Sequence, residues 1–388
     1  MPENKNATVH GTVAEGFEGV REEFGAFVAG EADDPGAQLA AYHHGRLVVD
    51  LWNGDSVTGD SLTGVYSATK GAAHLVVALL VQDGVLELDK EVAFYWPEFA
   101  AEGKGSVTLR DLLAHRSGAV GADDGFSPEE YADDRLLAAR LAGQRPFWRP
   151  GAGFGYHALV IGALTGEVVR RVTGQSIQEI FEERIRAPYA LDLHLGLPEE
   201  LEARYRPVLP MLPTEAQQAE LAANASSPQS LVGISFGSNG KEPLDLVDFI
   251  NTRAVRAKGQ ASAGGVGNAR GLAGMYAAVI GGVDGVGTAL LDPGTYSEFS
   301  RIHSVGRDLV TGGEDNTFGL GFQALGQSYR PLGADAIGHS GAAGALALAD
   351  PRNGVSYAYT RRRFAFPGGA APENERLIAA VLRAAVAV

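Results

Sequence analysis

Residues 71–84 read GAAHLVVALLVQDG, an apolar run of helical length that one histidine interrupts and Asp-Gly ends. A helix that is apolar on every side has no face to give to water, so the rest of the chain must wrap around it. The run is shorter than the roughly 18 residues that span a bilayer. It predicts a central helix in the core of a large globular fold. A chain of 388 residues with 45% hydrophobic side chains has the material for that core, and its length predicts two or three domains.

The residues leading into this helix carry chemistry. YSATKG places Ser67 and Lys70 three apart where the helix begins. Residues at that spacing share one helix face, and a helix N-terminus favours developing negative charge. A lysine drawn into a buried segment loses its proton more readily. A neutral amine can then take the proton of a serine hydroxyl, which a charged one cannot. The same six residues also read as a serine cap beside a lysine that snorkels to solvent. The pair by itself leaves both readings open. Lysine is scarce, however: Lys5, Lys70, Lys90, Lys104, Lys241 and Lys258 are the whole complement.

Two rivals need separating from it. GISFG, centred on Ser235, fits Gly-x-Ser-x-Gly, and Ser238–Lys241 repeats the Ser-x-x-Lys spacing. A nucleophile elbow needs a strand before the serine and a helix directly after it. SLV before Ser235 has strand character, but SNGKEP after it forms turns. The expectation is a Gly-rich loop, in which neither Ser235 nor the Ser238–Lys241 pair is held on one face.

Around the central helix, the chain alternates unevenly. Residues 12–30 carry apolar positions at helical spacing, from Val13 and Phe17 to Phe27 and Val28. QLAAYHHGRLVVDLWNGD reads as a hairpin turning at His43-His44 and Gly45. VTLRDLLAHRSG is a short helix stopped by Ser-Gly, with His115 in a structural role at its end. Residues 129–142, 156–173, Thr214–Ala223 and 267–282 read as helical. FGLGFQAL and HSGAAGALALADPRNGVSYAYTRRR read as strands, the last pair joined at Asp-Pro-Arg-Asn-Gly. Arg361–Arg363 reads as a solvated charge run, and residues 374–388 as a closing amphipathic helix. Strands at the two ends with a helical middle predict an α+β fold: an antiparallel β-sheet flanked by helices, beside a second, mostly helical domain. The expected division is 9–60 plus 255–388 for the sheet domain and 61–254 for the helical one, with an active site in the cleft between them.

Two further segments could complete a hydrolytic site. A second proton relay is needed to protonate the leaving group. Tyr156, in PGAGFGYHALVIGAL at a predicted helix start, suits that role, though alone it also reads as a half-buried tyrosine. An oxyanion hole needs two converging N–H donors. The Ser67 amide is one candidate. GHSGAAG at 338–344, whose small residues permit close backbone approach, offers another, or is simply a tightly packed strand.

With these segments in hand, the chain resembles the serine β-lactamase and penicillin-binding-protein superfamily, in its class C-like branch and among the family VIII carboxylesterases. YSATKG matches the Ser-x-x-Lys motif. VTLRDLLAHRSG is similar to the Leu-Leu-x-His-Thr-Ser-Gly segment, with Arg116 in place of Thr. PGAGFGYHALVIGAL, ASAGGVGNARGLAGMYAAV, FGLGF and GHSGAAGALALADPRNGVSYAY follow in the family's order. The resemblance implies that Ser67 is acylated, that Lys70 and Tyr156 share the general-base and proton-shuttle roles, and that the amides of Ser67 and Ala342 form the oxyanion hole. It places His339, Ser340 and Gly341 against the substrate. The departures bear on the substrate. Where β-lactamases of this branch have Tyr-x-Asn, this chain has Tyr156-His157-Ala158. Where they have Lys-Thr-Gly, it has His339-Ser340-Gly341, and a usually neutral histidine replaces the cation that would meet a carboxylate.

The expectation is a serine carboxylesterase that hydrolyses short to medium, uncharged acyl esters through an acyl-Ser67 intermediate. The rival expectations are a β-lactamase or D-amino-acid peptidase or amidase, an acyltransferase, and a catalytically silent binding protein on the same fold. Composition narrows the partners. A net charge of −15 argues against nucleic acid and anionic membranes, and the absence of cysteine excludes disulfides and thiolate chemistry. No His/Asp/Glu spacing marks a metal site, and no cofactor is expected. The polar N-terminus MPENKNATVHG lacks the apolar stretch of a signal peptide, so a cytoplasmic protein is expected.

Overall fold

The structure, a computed structural model, describes residues 8–31, 36–314 and 316–388. Residues 1–7, which carry most of the polar N-terminal segment, lie outside that range.

A nine-stranded antiparallel sheet forms the frame. Its strands are β1 (His10–Val13), β2 (Ala37–His43), β3 (Arg46–Asn53), β7 (Ser304–Gly306), β8 (Asn316–Phe318), β9 (Gln323–Ala324), β10 (Ile337–Ser340), β11 (Leu346–Asp350) and β12 (Val355–Arg361), in the order β1-β3-β2-β12-β11-β10-β9-β8-β7. The two ends of the chain meet at β2 and β12, paired from Val355↔His43 to Arg361↔Ala37. A second, three-stranded sheet joins β4 (Thr63–Gly64), β5 (Leu193–His194) and β6 (Val266–Gly267) in the order β4-β6-β5.

The helices include α1 (Glu18–Val28), α2 (Thr69–Gln82), α3 (Leu109–Leu113), α4 (Ile161–Thr173), α5 (Glu215–Ala223), α6 (Leu231–Ser235), α7 (Ala269–Ile280) and α8 (Asn374–Ala387). Side chains alternate across the sheet. On one face Leu39, Leu346, Leu348, Tyr357 and Tyr359 pack under α1 and α8. On the other, Ala40, Ala347, Ala349 and Ala358 are small enough for α7 to lie close, and α2 packs behind it. The central helix is as buried as its composition demands: from residue 61 to residue 80 only Ser67 retains appreciable exposure.

Several local expectations are corrected. The predicted helical stretch 12–30 begins as a strand, because Val13 pairs with Val49 on the sheet edge before α1 starts at Glu18. The stretch 129–142 is two helices, Pro128–Tyr131 and Asp134–Gly143, separated where the Asp133 side chain caps the second. Helix α4 begins at Ile161, so Tyr156 stands on the loop before it. The Ser235 segment is the short helix α6 rather than a loop, capped by the Ser230 hydroxyl. Arg361 is not on a solvated face. It is 8% exposed and bridges Glu373 at 2.6 Å and Glu31 at 2.8 Å, tying β12 to the start of α8 and the end of α1.

Candidate active site

Ser67 sits in a single 3₁₀ turn, Tyr66–Ala68, that feeds directly into α2. The turn is held from three sides. The Val65 amide donates to the Gly265 carbonyl at 3.0 Å, and the Gly265 amide donates to Thr69 Oγ1 at 2.9 Å. Tyr66 donates its hydroxyl proton to the Leu246 carbonyl at 3.0 Å and meets Phe364 edge-on. Tyr66 has a φ of +48°, a left-handed conformation that costs a non-glycine residue roughly 1–2 kcal/mol. These contacts hold the strained residue and aim Ser67 out of an otherwise buried segment.

Lys70 is fully buried, one helical step behind Ser67. Its Nζ lies 3.0 Å from Ser67 Oγ, 2.6 Å from the Ala158 carbonyl oxygen and 2.8 Å from the Ser262 carbonyl oxygen. No carboxylate among the described residues pairs with it. Burial without a counter-ion pushes its pKa well below the ordinary lysine value. A neutral amine has two protons and one lone pair. The two carbonyls can take both protons, which leaves the lone pair facing the Ser67 hydroxyl.

Tyr156 closes the other side. Lys70 Nζ lies 5.0 Å from its ring centroid. The ring stacks on Phe318 at 5.9 Å with 9° between planes, and His115 and His339 lie 5.3 Å and 5.9 Å away. Burial raises the phenol pKa above its usual value, the neighbouring Ser67 hydroxyl opposes that shift, and the Asp308 carboxylate adds to it. The phenol is therefore neutral at ordinary pH.

Strand β10 runs past the serine turn. A Cβ on Gly341 would fall on the Val65 carbonyl oxygen, closer than any carbon contact, so glycine is what lets the strand end approach the turn. The Gly341 amide donates to the Ala345 carbonyl at 2.8 Å, and the half-buried Ala342 follows it. His339 is 1% exposed and donates Nδ1–H to its neighbour's carbonyl at 2.8 Å. Its ring packs beside Tyr156, closed off from solvent. Ser340, next in the strand, turns to the opposite sheet face, toward a cavity shared with Thr317, Gln323, Tyr329 and Leu346. Ser67, Lys70, Tyr156 and His339 are thus gathered in one place, with the Gly341-Ala342 backbone beside them. The Ser340 side chain is not part of that group.

His115 follows the end of α3 with a φ of +60° and is fully buried. Its Nδ1 accepts the His157 backbone N–H at 3.1 Å, and its carbonyl accepts the Gly155 N–H at 3.0 Å, so it holds the Tyr156 loop from below. His157 in turn bonds the Gly155 carbonyl through Nδ1 and the Ser117 hydroxyl through Nε2, both at 2.7 Å. Ser262, Gln260 and Asp308 escaped sequence reasoning. Ser262 acts through its carbonyl, which no side-chain pattern marks. Gln260 orders that turn by accepting the Ser262 and Ala263 amides at 3.1 and 2.7 Å. Asp308 accepts the Tyr156 amide at 3.1 Å from a segment with no motif. Among the described residues no cluster of His, Asp and Glu could hold a metal ion.

The family model described as Beta-lactamase matches residues 21–382. The esterase/beta-lactamase LipL of Mycobacterium tuberculosis is 30% identical over 365 residues, spanning 86% of this chain and 78% of LipL. The structure of EstA from Arthrobacter nitroguajacolicus Rue61a superposes with a TM-score of 0.89 at 40% identity, covering 97% of this chain and 98% of EstA. A family VIII carboxylesterase superposes with a TM-score of 0.83 at 32% identity, covering 97% of this chain and all (100%) of the other.

Proposed function

The chain belongs to the beta-lactamase family, and we propose that it is a serine carboxylesterase hydrolysing short to medium acyl esters through an acyl-Ser67 intermediate. The observation that carries this reading is the buried Lys70. Its Nζ lies within hydrogen-bond distance of two backbone carbonyls and 3.0 Å from Ser67 Oγ, so in the neutral amine both protons have acceptors and the lone pair is left for the Ser67 hydroxyl. The relatives named esterase and carboxylesterase support the ester as substrate.

In the proposed reaction Ser67 Oγ bonds to the ester carbonyl carbon, and its proton passes to Lys70 Nζ. The carbonyl π electrons move to the oxygen, which the amides of Ser67 and Ala342 stabilise. Tyr156 passes the proton from Lys70 to the alcohol oxygen as the carbon–oxygen bond to the leaving group breaks. Water then attacks the acyl carbon, gives its proton to the same relay, and releases the acid with Ser67 re-protonated. The reaction takes place in a cleft between a sheet domain, 9–60 plus 255–388, and a helical domain, 61–254. His339 supplies no permanent cation beside Tyr156, and burial lowers its pKa well below the usual histidine value. That favours an uncharged ester over a substrate presenting a carboxylate.

The test pairs p-nitrophenyl butyrate with nitrocefin, on wild type and Ser67→Ala. Wild type should turn over the ester, and Ser67→Ala should lose at least about 10³-fold. Strong nitrocefin turnover without ester turnover would make it a β-lactamase. Ester activity that survives Ser67→Ala but vanishes in Ser235→Ala would move the nucleophile.

A further inference from the structure

Ser235, the centre of the GISFG motif, is 1% exposed at the end of α6. Its hydroxyl both donates and accepts. Oγ donates its proton to the Tyr156 carbonyl at 2.7 Å and accepts the Ala158 amide at 3.0 Å. A hydroxyl whose proton is committed to a buried carbonyl and whose oxygen accepts a backbone amide is poorly placed to attack a substrate. It is well placed to hold two residues. The Tyr156 backbone is gripped at its carbonyl by Ser235 and at its amide by Asp308. Ala158 presents to Lys70 the carbonyl that takes one of its protons at 2.6 Å. One hydroxyl therefore joins the supports of both groups that flank Ser67.

We infer that Ser235 is a positioning residue for ester hydrolysis, fixing the Tyr156–Ala158 loop so that the phenol faces Ser67 and the Ala158 carbonyl faces Lys70. The inference rests on the reading of Ser67, Lys70 and Tyr156 as the reacting groups. Without the Ser235 hydroxyl, the Tyr156 carbonyl and the Ala158 amide lose their partner and the loop between them loosens. Two consequences follow. Tyr156 spends less time in line with Ser67, and a displacement of about 1 Å costs on the order of 100-fold in rate. Lys70 also becomes less well enclosed, and an amine that gains hydration recovers its charge more easily.

The second consequence separates positioning from general stability. The titratable groups facing Lys70 are His74 on its own helix, His115 after α3, His157 and Tyr156 on the loop, and His339 on β10. The histidines are all shifted downward by burial, with His74 and His157 at about 4. Each starts from an ordinary value below that of lysine and is lowered further by burial. Activity that needs neutral Lys70 rises with pH through its pKa, so a higher pKa moves that limb to higher pH.

Ser235→Ala and Ser235→Thr are compared with wild type for p-nitrophenyl butyrate hydrolysis from about pH 5 to about pH 10, alongside thermal midpoints and fluorophosphonate labelling. For folded Ser235→Ala, kcat should fall about 10- to 100-fold with KM within about threefold. The rising limb of kcat/KM should move up by about one pH unit or more. Ser235→Thr, which keeps the hydroxyl, should recover most of the rate and the original limb. If the Thr variant does not fold, the limb of Ser235→Ala decides alone. An unmoved limb overturns the inference, whether the rate is unchanged or falls only with the folded fraction. The label tests the underlying reading separately. Label on Ser67 with an unmoved limb rejects only the role of Ser235, whereas label elsewhere rejects the site.

Discussion

At the scale of single residues, the arrangement depends on two buried side chains, Lys70 and Tyr156, whose proton affinities burial shifts in opposite directions. Burial gives Lys70 carbonyls and no carboxylate, which holds its pKa well below the ordinary lysine value. Tyr156 remains a phenol because burial outweighs the opposing influence of Ser67. Its ring is also a structural element, stacked on Phe318 and beside His115. Tyr156→Phe removes the hydroxyl and keeps that packing. It should leave stability within about 1 kcal/mol while lowering kcat by about 10²- to 10⁴-fold. A Phe variant with near wild-type turnover would remove the phenol from the relay. The Ser67–Lys70 pair was legible in the sequence because a spacing of three on a helix is local geometry. The carbonyls of Ala158 and Ser262 were not, since any residue supplies a carbonyl and only the fold decides which one is aimed at Nζ.

At the scale of elements, α2 meets α7 where the Tyr276 side chain reaches Gly71, and the missing Cβ is what makes room for it. A Cβ there would overlap the Tyr276 hydroxyl and lie 3.1 Å from the ring carbon that bears it. That hydroxyl is buried without a hydrogen-bond partner. Alanine ordinarily stabilises a helix interior relative to glycine by about 1 kcal/mol. Here Gly71→Ala should instead destabilise by about 1–3 kcal/mol through overpacking. Tyr276→Phe should be neutral or stabilising, since it removes an unsatisfied buried group. In the double variant most of the loss should be recovered, giving a coupling of about 1 kcal/mol or more in a urea-unfolding cycle. Additive losses would show that the helix contact lies elsewhere. Long periodic elements such as α2, α7, α8 and the β11–β12 hairpin were readable because their pattern repeats over many residues. The strand at His10–Val13 and helix α6 were misread. Both are too short to show a period, and each exists because of a distant partner, Val49 on β3 for the one and Tyr156 for the other.

At the scale of the whole molecule, the enclosed region around Lys70 should make the fold acid-sensitive. His74, His115, His157 and His339 belong to four different segments and are all buried with their pKa values lowered by burial, His74 and His157 to about 4. An unfolded histidine titrates near 6.5. Between that pH and about 4 the unfolded chain therefore binds protons that the folded chain refuses, and stability falls as pH falls through this window. Asp134 works in the opposite sense. Burial raises its carboxyl pKa to about 6, so the folded chain takes up that proton first. Near pH 5 these groups together should make unfolding take up about three protons, a slope of about 4 kcal/mol per pH unit, falling to about half that near pH 6.5. Above about pH 7.5 the histidines add no slope. Urea-unfolding midpoints across this range would measure the slope. His74→Asn, whose amide can still donate to the Gly321 carbonyl that His74 contacts at 2.9 Å, should lower the slope by about one proton. A slope of one proton or fewer in the wild type would mean that the fold accepts charge among these histidines. The low pKa of Lys70, which depends on the same enclosure, would then lose its physical basis.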